Sequence, residues 1–255
     1  MSLQKFQELV KIVERLRKEC PWDSEQTNDS IKDATIEETY EVVEAIDNKD
    51  FNELKIELGD LLLHVVFHTI IAQESNHFTL DEVIDGISKK LIRRHPHVFG
   101  ETEVSGSKEV KRNWETIKLS EGRDSILEGV PVKLPSLQRA YRLQEKAARV
   151  GFDWERKEDV WKKVIEEIEE MHESERSGDK IELEKEIGDV FFSLVNYARF
   201  LGVNPENALR RTNEKFIKRF EYVEDKIKAT GRNISESNLS EMDKYWEESK
   251  TNLGN

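Results

Sequence analysis

The amino-acid sequence predicts an all-α protein built as a tandem repeat of one helical domain. Hydrophobic residues make up 36% of the chain and charged residues another 36%, a balance typical of amphipathic helices with solvated outer faces. Only 5 prolines and 12 glycines interrupt the 255 residues, so long segments can remain helical. The chain also matches itself at an offset of 129 residues, which gives each copy an ordinary domain size. We identify no segment with the alternation of a β-strand.

Composition narrows the classes of partner. A formal net charge of −13 argues against a general nucleic-acid binder, because neutralising phosphates requires a basic surface. The single cysteine, Cys20, excludes an intrachain disulfide and is compatible with a reducing compartment. The first ten residues do not form an apolar signal segment, and no run of about 18 apolar residues is present. We therefore expect a soluble, cytoplasmic protein that binds neither nucleic acid nor membrane.

The internal repeat is clearest at acidic positions. The first copy contributes Glu37, Glu38, Glu41, Glu57 and Asp60, and these align in order with Glu166, Glu167, Glu170, Glu186 and Asp189. Apolar positions follow at the same offset: Leu54, Leu58, Leu61, Leu62, Val65 and Val66 align with Leu183, Ile187, Val190, Phe191, Leu194 and Val195. Their spacing is that of a helix core stripe, so we expect both copies to bury the same face.

Two domains and a linker follow from this alignment. Residues 120–136 match neither copy and contain Gly122, Gly129, Pro131 and Pro135, which are typical of a linker. We therefore predict an N-terminal domain at 1–119 and a C-terminal domain at 137–255.

Each copy is interpreted as a helix, a short turn, a second helix and one or two more helices. The turns are predicted at 47–50 and 177–179. Thr79 and Ser240 each precede an acidic residue by three positions, which predicts that both are helix N-caps.

The carboxylates are expected to converge on a cation. Glu38 and Glu41 share one helix face, and Glu57 and Asp60 share a face of the next helix. About a turn centred near residue 49, Glu41 faces Glu57 and Glu38 faces Asp60, in two levels roughly 4.5 Å apart. Four such carboxylates repel one another unless a cation neutralises them. All-oxygen ligation favours Mg²⁺ or Mn²⁺.

These residues resemble a known family. The pattern Glu-Glu-x-x-Glu, fifteen residues, Glu-x-Gly-Asp occurs with Cys20-Pro21-Trp22-Asp23 and with Arg93-Arg94-His95-Pro96-His97-Val98-Phe99, and the chain closely resembles the MazG family over nearly its whole length. The resemblance implies an all-α NTP pyrophosphatase fold whose helix bundle is completed when domains pair. We expect a homodimer, the alternative being that the two copies pair within one chain. It also implies Mg²⁺-dependent hydrolysis of nucleoside triphosphates to monophosphate and pyrophosphate.

The same resemblance implies roles for individual residues. The metal ligands would be Glu38, Glu41, Glu57 and Asp60 in the first copy and Glu167, Glu170, Glu186 and Asp189 in the second. The catalytic residues would be Glu37, Glu38, Glu41, Glu166, Glu167 and Glu170, with Glu37 or Glu166 orienting or deprotonating the attacking water.

Basic and aromatic positions complete the predicted site. Lys90, Arg93, Arg94, Lys215 and Arg219 are predicted to bind phosphate oxygens, the alternative being solvent-facing helix charges. Trp114 and Trp246 recur after that helix and are predicted to stack on a base or sugar, the alternative being core packing.

The two copies differ beside the carboxylates. His64 aligns with Ser193, and Phe67 aligns with Asn196, so substrate preference or activity is open to differ between them. We expect both copies to bind metal, because neither lacks a carboxylate. Two other interpretations are a ferritin-like di-metal protein, which normally has Glu-x-x-His pairs, and a non-enzymatic helical dimerisation or partner-binding module.

Overall fold

A computed structural model describes residues 2–122 and 124–252, and these residues form helices without any β-strand. The helices are α1 (Ser2–Glu19), α2 (Pro21–Glu25), α3 (Lys32–Asn48), α4 (Phe51–Glu74), α5 (Leu80–Arg94), α6 (Pro96–Phe99), α7 (Ser107–Ser120), α8 (Ser136–Arg149), α9 (Lys157–Ser177), α10 (Lys180–Phe200), α11 (Pro205–Lys228) and α12 (Leu239–Asn252), with a 3₁₀ turn at Ile234–Glu236. The all-α prediction is confirmed. Among the described residues, none of the helices combines the length and hydropathy that a membrane span requires.

The chain divides into two compact units, Met1–Val104 and Ser105–Asn255. Helix α7 lies in the second unit, where it contacts α8. The segment 120–136 runs from the end of α7 to the start of α8. The domain and linker boundaries drawn from the repeat stay a prediction.

The first unit is organised around the antiparallel pair α3 and α4, and α1 packs on α4. Its core joins Val13 of α1 and Ile31 to the second half of α4, where Val66, Phe67 and Ile70 are buried. Apolar residues three and four apart on α4 thus supply one buried face. This packing holds the two acidic helices side by side.

The second unit repeats this arrangement with α9 and α10, and α8 packs on α10. Val160 and Val164 on α9 and Val195 on α10 are buried. Helices α11 and α12 pack on each other, and Val223 and Ile227 of α11 are buried.

Equivalent turns set the register of both hairpins. Lys49 and Gly178 follow α3 and α9 in the left-handed conformation, with φ of 55° and 78°. The next residues, Asp50 and Asp179, cap α4 and α10 by accepting two backbone N–H groups each. The predicted turns are therefore confirmed.

The two predicted N-caps have different outcomes. Thr79 forms a full capping box with Glu82 at the start of α5, as predicted. The prediction for Ser240 is wrong, because α12 already begins at Leu239 and the side chain of Asn238 accepts the Glu241 N–H. Asparagine precedes the serine by two residues and caps the helix first.

The apolar stripe is not the core stripe that its spacing predicted. Val66 and Val195 are buried, but Leu62 is 40% exposed and Phe191 is 57% exposed. Leu58, Val65, Ile187 and Leu194 are also exposed. The stripe is wider than the face that α1 or α8 covers, so part of it remains uncovered at the same register in both copies. The two copies therefore bury the same positions of the stripe, as predicted, but neither copy buries the whole stripe.

Candidate metal centre

The first cluster lies where α3 and α4 face each other. Glu38 and Glu41 on α3 and Glu57 on α4 each offer a carboxylate oxygen, and these three oxygens lie within 4.8 Å of one another. Asp60 is near enough to raise the pKa of Glu38. The hairpin register therefore brings the carboxylates of the two helices together as the spacing predicted.

The electrostatics of this cluster favour a bound cation. Burial, followed by the charges of Glu41 and Asp60, raises the pKa of Glu38 above its ordinary value. Burial also raises the pKa of Glu57 to about 7, with further contributions from hydrogen bonds to Glu53 and Glu41. Ionising these carboxylates together is costly without a positive charge between them.

The second cluster lies at the equivalent place between α9 and α10. Glu167, Glu186 and Asp189 offer oxygens within 4.8 Å of one another. The pKa of Glu170 is raised by burial and then by the charge of Glu167, with a contribution from Glu186. Each copy therefore has three converging carboxylates and a fourth within electrostatic range.

A lysine distinguishes the second cluster, and sequence reasoning missed it. The Lys163 ammonium lies 2.7 Å from a carboxylate oxygen of Glu166 and 2.7 Å from one of Glu167. These hydrogen bonds raise the pKa of Lys163. The signal was available, because Lys163 precedes Glu167 by four residues on one helix face. The aligned residue in the first copy is Ala34.

A cavity of about 380 Å³ adjoins the second cluster. Its wall is largely apolar and includes Leu127, Leu143, Ala147, Phe152, Trp154 and Phe192. Lys163, Glu167 and Asp189 also line it, so a ligand in the cavity would reach the carboxylate cluster. An apolar cavity with a few polar groups at one end is typical of a small-molecule site.

Polar side chains at the cavity are held in defined orientations. Arg199 pairs with Asp153 at 2.5 Å and donates from its Nε to the Asn196 amide oxygen at 3.0 Å. The amide oxygen of Asn196 is thus engaged, and its amide nitrogen is the group that could donate a hydrogen bond to a ligand. The Gln144 amide nitrogen donates to the Phe192 carbonyl, and its amide oxygen is buried without a hydrogen-bond partner.

Larger side chains stand at the corresponding positions of the first unit. Upstream of the hairpins the copies align at an offset of 130, where Asp23 matches Asp153, so Arg17 aligns with Ala147. Phe67 aligns with Asn196 at the offset of 129. The Arg17 guanidinium lies over the Phe67 ring at 5.6 Å and forms an ion pair with Glu74 at 2.5 Å. This ion pair lowers the pKa of Glu74. The arginine and the phenylalanine are larger than the alanine and the asparagine that line the cavity of the second unit at the aligned positions.

The remaining predicted site residues lie on other helices. Lys90, Arg93 and Arg94 lie at the end of α5, Lys215 and Arg219 on α11, Trp114 on α7 and Trp246 on α12. The Trp246 ring packs against Phe216 at 5.2 Å, and Lys118 lies over the Trp114 ring at 5.6 Å. None of the seven lines the cavity beside the second cluster as the structure describes it. Their roles stay predictions.

The two glutamates proposed as bases are exposed beside the clusters. Glu37 precedes Glu38 on α3, and Glu166 precedes Glu167 on α9, where it is paired with Lys163. Both positions are accessible to water.

Fold and site together define a helical protein with two hairpins that each carry a carboxylate cluster at the same register. All the candidate ligand atoms are carboxylate oxygens, and their mutual repulsion destabilises each cluster when no cation is bound. These residues therefore fit a hard divalent cation.

Comparison with known proteins gives the family. The MazG nucleotide pyrophosphohydrolase domain matches residues 26–99 and 155–224, and each segment contains one carboxylate cluster. The chain belongs to the MazG nucleotide pyrophosphohydrolase family.

Relatives resemble the chain over most of its length. It is 45% identical over 250 residues to the nucleoside triphosphate pyrophosphohydrolase/pyrophosphatase MazG of Thermotoga maritima, covering 96% of this chain and 95% of that protein. It is 43% identical over 257 residues to the nucleoside triphosphate pyrophosphohydrolase of Escherichia coli strain K12, covering 97% and 98%. A crystal structure of a mazG-related protein from Thermotoga maritima matches 44% of this chain and 98% of its own, with 27% identity and a TM-score of 0.40.

Proposed function

We propose that this chain hydrolyses nucleoside triphosphates at the α-phosphorus to give a nucleoside monophosphate and pyrophosphate. The observation that carries the proposal is the apolar cavity of about 380 Å³ whose wall includes Glu167 and Asp189 of the second cluster. Such a cavity suits a planar base beside a centre that binds phosphates. Two relatives of nearly the same length are named as nucleoside triphosphate pyrophosphohydrolases, which supports the reaction.

The second unit is the proposed catalytic unit. Glu167, Glu186 and Asp189, with Glu170, would hold Mg²⁺, and Mn²⁺ is a suitable substitute. When bound, the ion supplies charge neutralisation and polarises the phosphate oxygens. The matching domain is described as a nucleotide pyrophosphohydrolase, and phosphate-bearing substrates of that kind agree with a metal ion at this cluster.

The chain's own residues would position the substrate. The Lys163 ammonium can leave Glu167 when that carboxylate binds metal, and it then offers hydrogen-bond donors to phosphate oxygens. Phe152, Trp154 and Phe192 would enclose the base and exclude water from it. Lys215 and Arg219 are proposed to bind the outer phosphates.

Water activation is assigned to Glu166. Its carboxylate is exposed next to Glu167, so it can orient a water molecule and accept its proton. The water oxygen forms a bond to the α-phosphorus, and the bond from that phosphorus to the bridging oxygen breaks. Pyrophosphate leaves with the electron pair. Glu37 is the equivalent residue of the first copy.

We further propose that the chain acts as a homodimer. The uncovered stripe on α4 and α10 includes Leu62 and Phe191, and a surface of this kind is normally buried against a partner. On α10 it continues into an apolar groove of about 630 Å³ lined by Leu137, Leu194 and Leu209. Light scattering should give twice the mass of the 29.9 kDa chain, and Phe191→Asp should lower it. A monomeric mass for the unsubstituted chain would contradict the homodimer.

The hydrolysis is tested by product analysis. The full chain is incubated with each nucleoside triphosphate and Mg²⁺, and the products are separated by ion exchange. We expect monophosphate and pyrophosphate, no reaction with EDTA, and a loss of at least about a hundredfold in rate for Glu167→Gln.

The matched control is Glu38→Gln, which makes the same change in the first cluster and should retain most of the activity. Equal losses in the two variants would contradict the assignment to the second unit. Diphosphate and phosphate as products would contradict cleavage at the α-phosphorus. No turnover and no Mg²⁺-dependent stabilisation by nucleotide would favour the partner-binding module.

A further inference from the structure

A chain of polar side chains lies beside the first cluster. The Thr35 hydroxyl oxygen is 2.8 Å from Nδ1 of His64 and 2.8 Å from Nε2 of His68. Nδ1 of His68 lies 2.7 Å from the side-chain oxygen of Asn28. The two imidazoles are thus tied through one hydroxyl to helix α3 and to the loop before it.

The Thr35 hydroxyl also donates to the Ile31 carbonyl oxygen at 3.0 Å, so it is held by the turn of chain that begins α3. Nδ1 of His64 contacts this fixed hydroxyl, and the ring therefore presents its other nitrogen, Nε2, to the carboxylates.

Nε2 of His64 faces the carboxylates. It lies 3.8 Å from Oε1 of Glu38, and only 13% of the His64 side chain is exposed. Two atoms that bind one ion at about 2.0–2.2 Å are at most about 4.3 Å apart. A single cation can therefore contact both atoms without a large rearrangement.

The second unit has no equivalent nitrogen at this position. Ser193 replaces His64, and its hydroxyl donates to the Val190 carbonyl. Val164 replaces Thr35, so the hydroxyl that orients the ring is also absent. The two copies have kept their carboxylates and diverged in the neighbouring donor.

We propose that His64 is a nitrogen ligand of the first carboxylate cluster, which makes this cluster a mixed nitrogen and oxygen site for a first-row transition cation such as Co²⁺. Imidazole favours Co²⁺ over Mg²⁺, for which carboxylate and water oxygens suffice. The second cluster has only oxygen donors and lies beside Lys163, so we expect it to show no preference for a transition cation over Mg²⁺. The inference rests on the proposed function only in that both use the carboxylate clusters.

The test measures metal binding without nucleotide, so its outcome is independent of hydrolysis. The full chain carries Glu186→Gln and Asp189→Asn to weaken the second cluster, is stripped with EDTA and is loaded with Mn²⁺. Pulsed EPR should detect a ¹⁴N coupling that becomes a ¹⁵N coupling when histidine is labelled with ¹⁵N. Absence of the nitrogen coupling would overturn the proposal.

Calorimetry supplies the second readout. His64→Ser, which installs the residue of the second copy, should weaken Co²⁺ binding by at least about tenfold and change Mg²⁺ binding by less than about threefold. His77→Ser, at an exposed histidine of the same unit, is the control and should leave both affinities unchanged. Equal Co²⁺ affinities for the two variants would contradict the ligand role. If His64→Ser loses its helical circular dichroism, the isotope experiment on the His64-containing chain decides.

Discussion

Lowering the pH from 8 to 6 should weaken Mg²⁺ binding at the first cluster by about tenfold through Glu57 alone. The pKa of this carboxyl is raised to about 7 by burial and by hydrogen bonds to Glu53 and Glu41. With that pKa, about nine tenths of Glu57 is ionised at pH 8 and about one tenth at pH 6. Because the cation binds the ionised form, the apparent affinity follows this fraction.

The same pKa sets the sign of the effect on stability. The folded state holds the proton of Glu57 to higher pH than the unfolded state, whose carboxyl titrates near 4.5. Folding of the metal-free chain is therefore most favoured by this group below pH 4.5. That contribution is lost as the pH rises from about 4.5 through about 7. Bound metal should reverse the loss above pH 7, because it stabilises the ionised cluster.

The assay is isothermal titration with Mg²⁺ at pH 6, 7 and 8, in the chain whose second cluster is weakened by Glu186→Gln and Asp189→Asn. Glu57→Gln should bind more weakly at pH 8 and lose about one tenfold step of pH dependence, and comparison of the two proteins isolates this group from other titrating neighbours. Glu8→Gln removes an exposed charge from α1 and should change nothing. An unchanged slope in Glu57→Gln would refute the reasoning.

Three further predictions concern the differences between the copies. Lys163→Met should raise the Mg²⁺ affinity of the second cluster about threefold to tenfold by calorimetry, since a charge about 5 Å away contributes on the order of 1 kcal/mol; Ala34→Lys should weaken binding at the first cluster. Asn196→Ala should raise KM for nucleoside triphosphates about threefold to tenfold in steady-state assays, through the loss of about one hydrogen bond, and an effect on kcat alone would contradict a binding role. Lys49→Gly should stabilise the chain by about 1 kcal/mol in thermal unfolding and Gly178→Ala should destabilise it by a similar amount, because both positions are left-handed; opposite signs would contradict this.

Most of the helix and hairpin predictions came from local sequence patterns. The turns ending at Lys49 and Gly178, with Asp50 and Asp179 as caps, depend on residues adjacent in sequence, so they were readable without tertiary contacts. Once the turn was placed, helix geometry alone put Glu41 opposite Glu57. The convergence of carboxylates was therefore predictable from spacing.

Predictions were less accurate where the sequence offered two candidates for one role or a face wider than its partner helix covers. Asn238 and Ser240 are both good N-caps, and the difference of two residues was settled by where α12 begins. The spacing of the apolar residues gave the correct helical period, but it did not show which part of the stripe is buried. That depends on where α1 and α8 pack.

The sequence showed that the two sites differ, and the tertiary structure decided what those differences do. The sequence by itself determined a duplicated helical hairpin with aligned carboxylates. Whether Ala147 and Asn196 open a cavity, and whether Arg17 and Phe67 occupy the equivalent space, depends on contacts between helices far apart in sequence. The orientation of His64 likewise depends on Thr35 across the hairpin, since side-chain direction is set by packing and hydrogen bonds that periodicity does not encode.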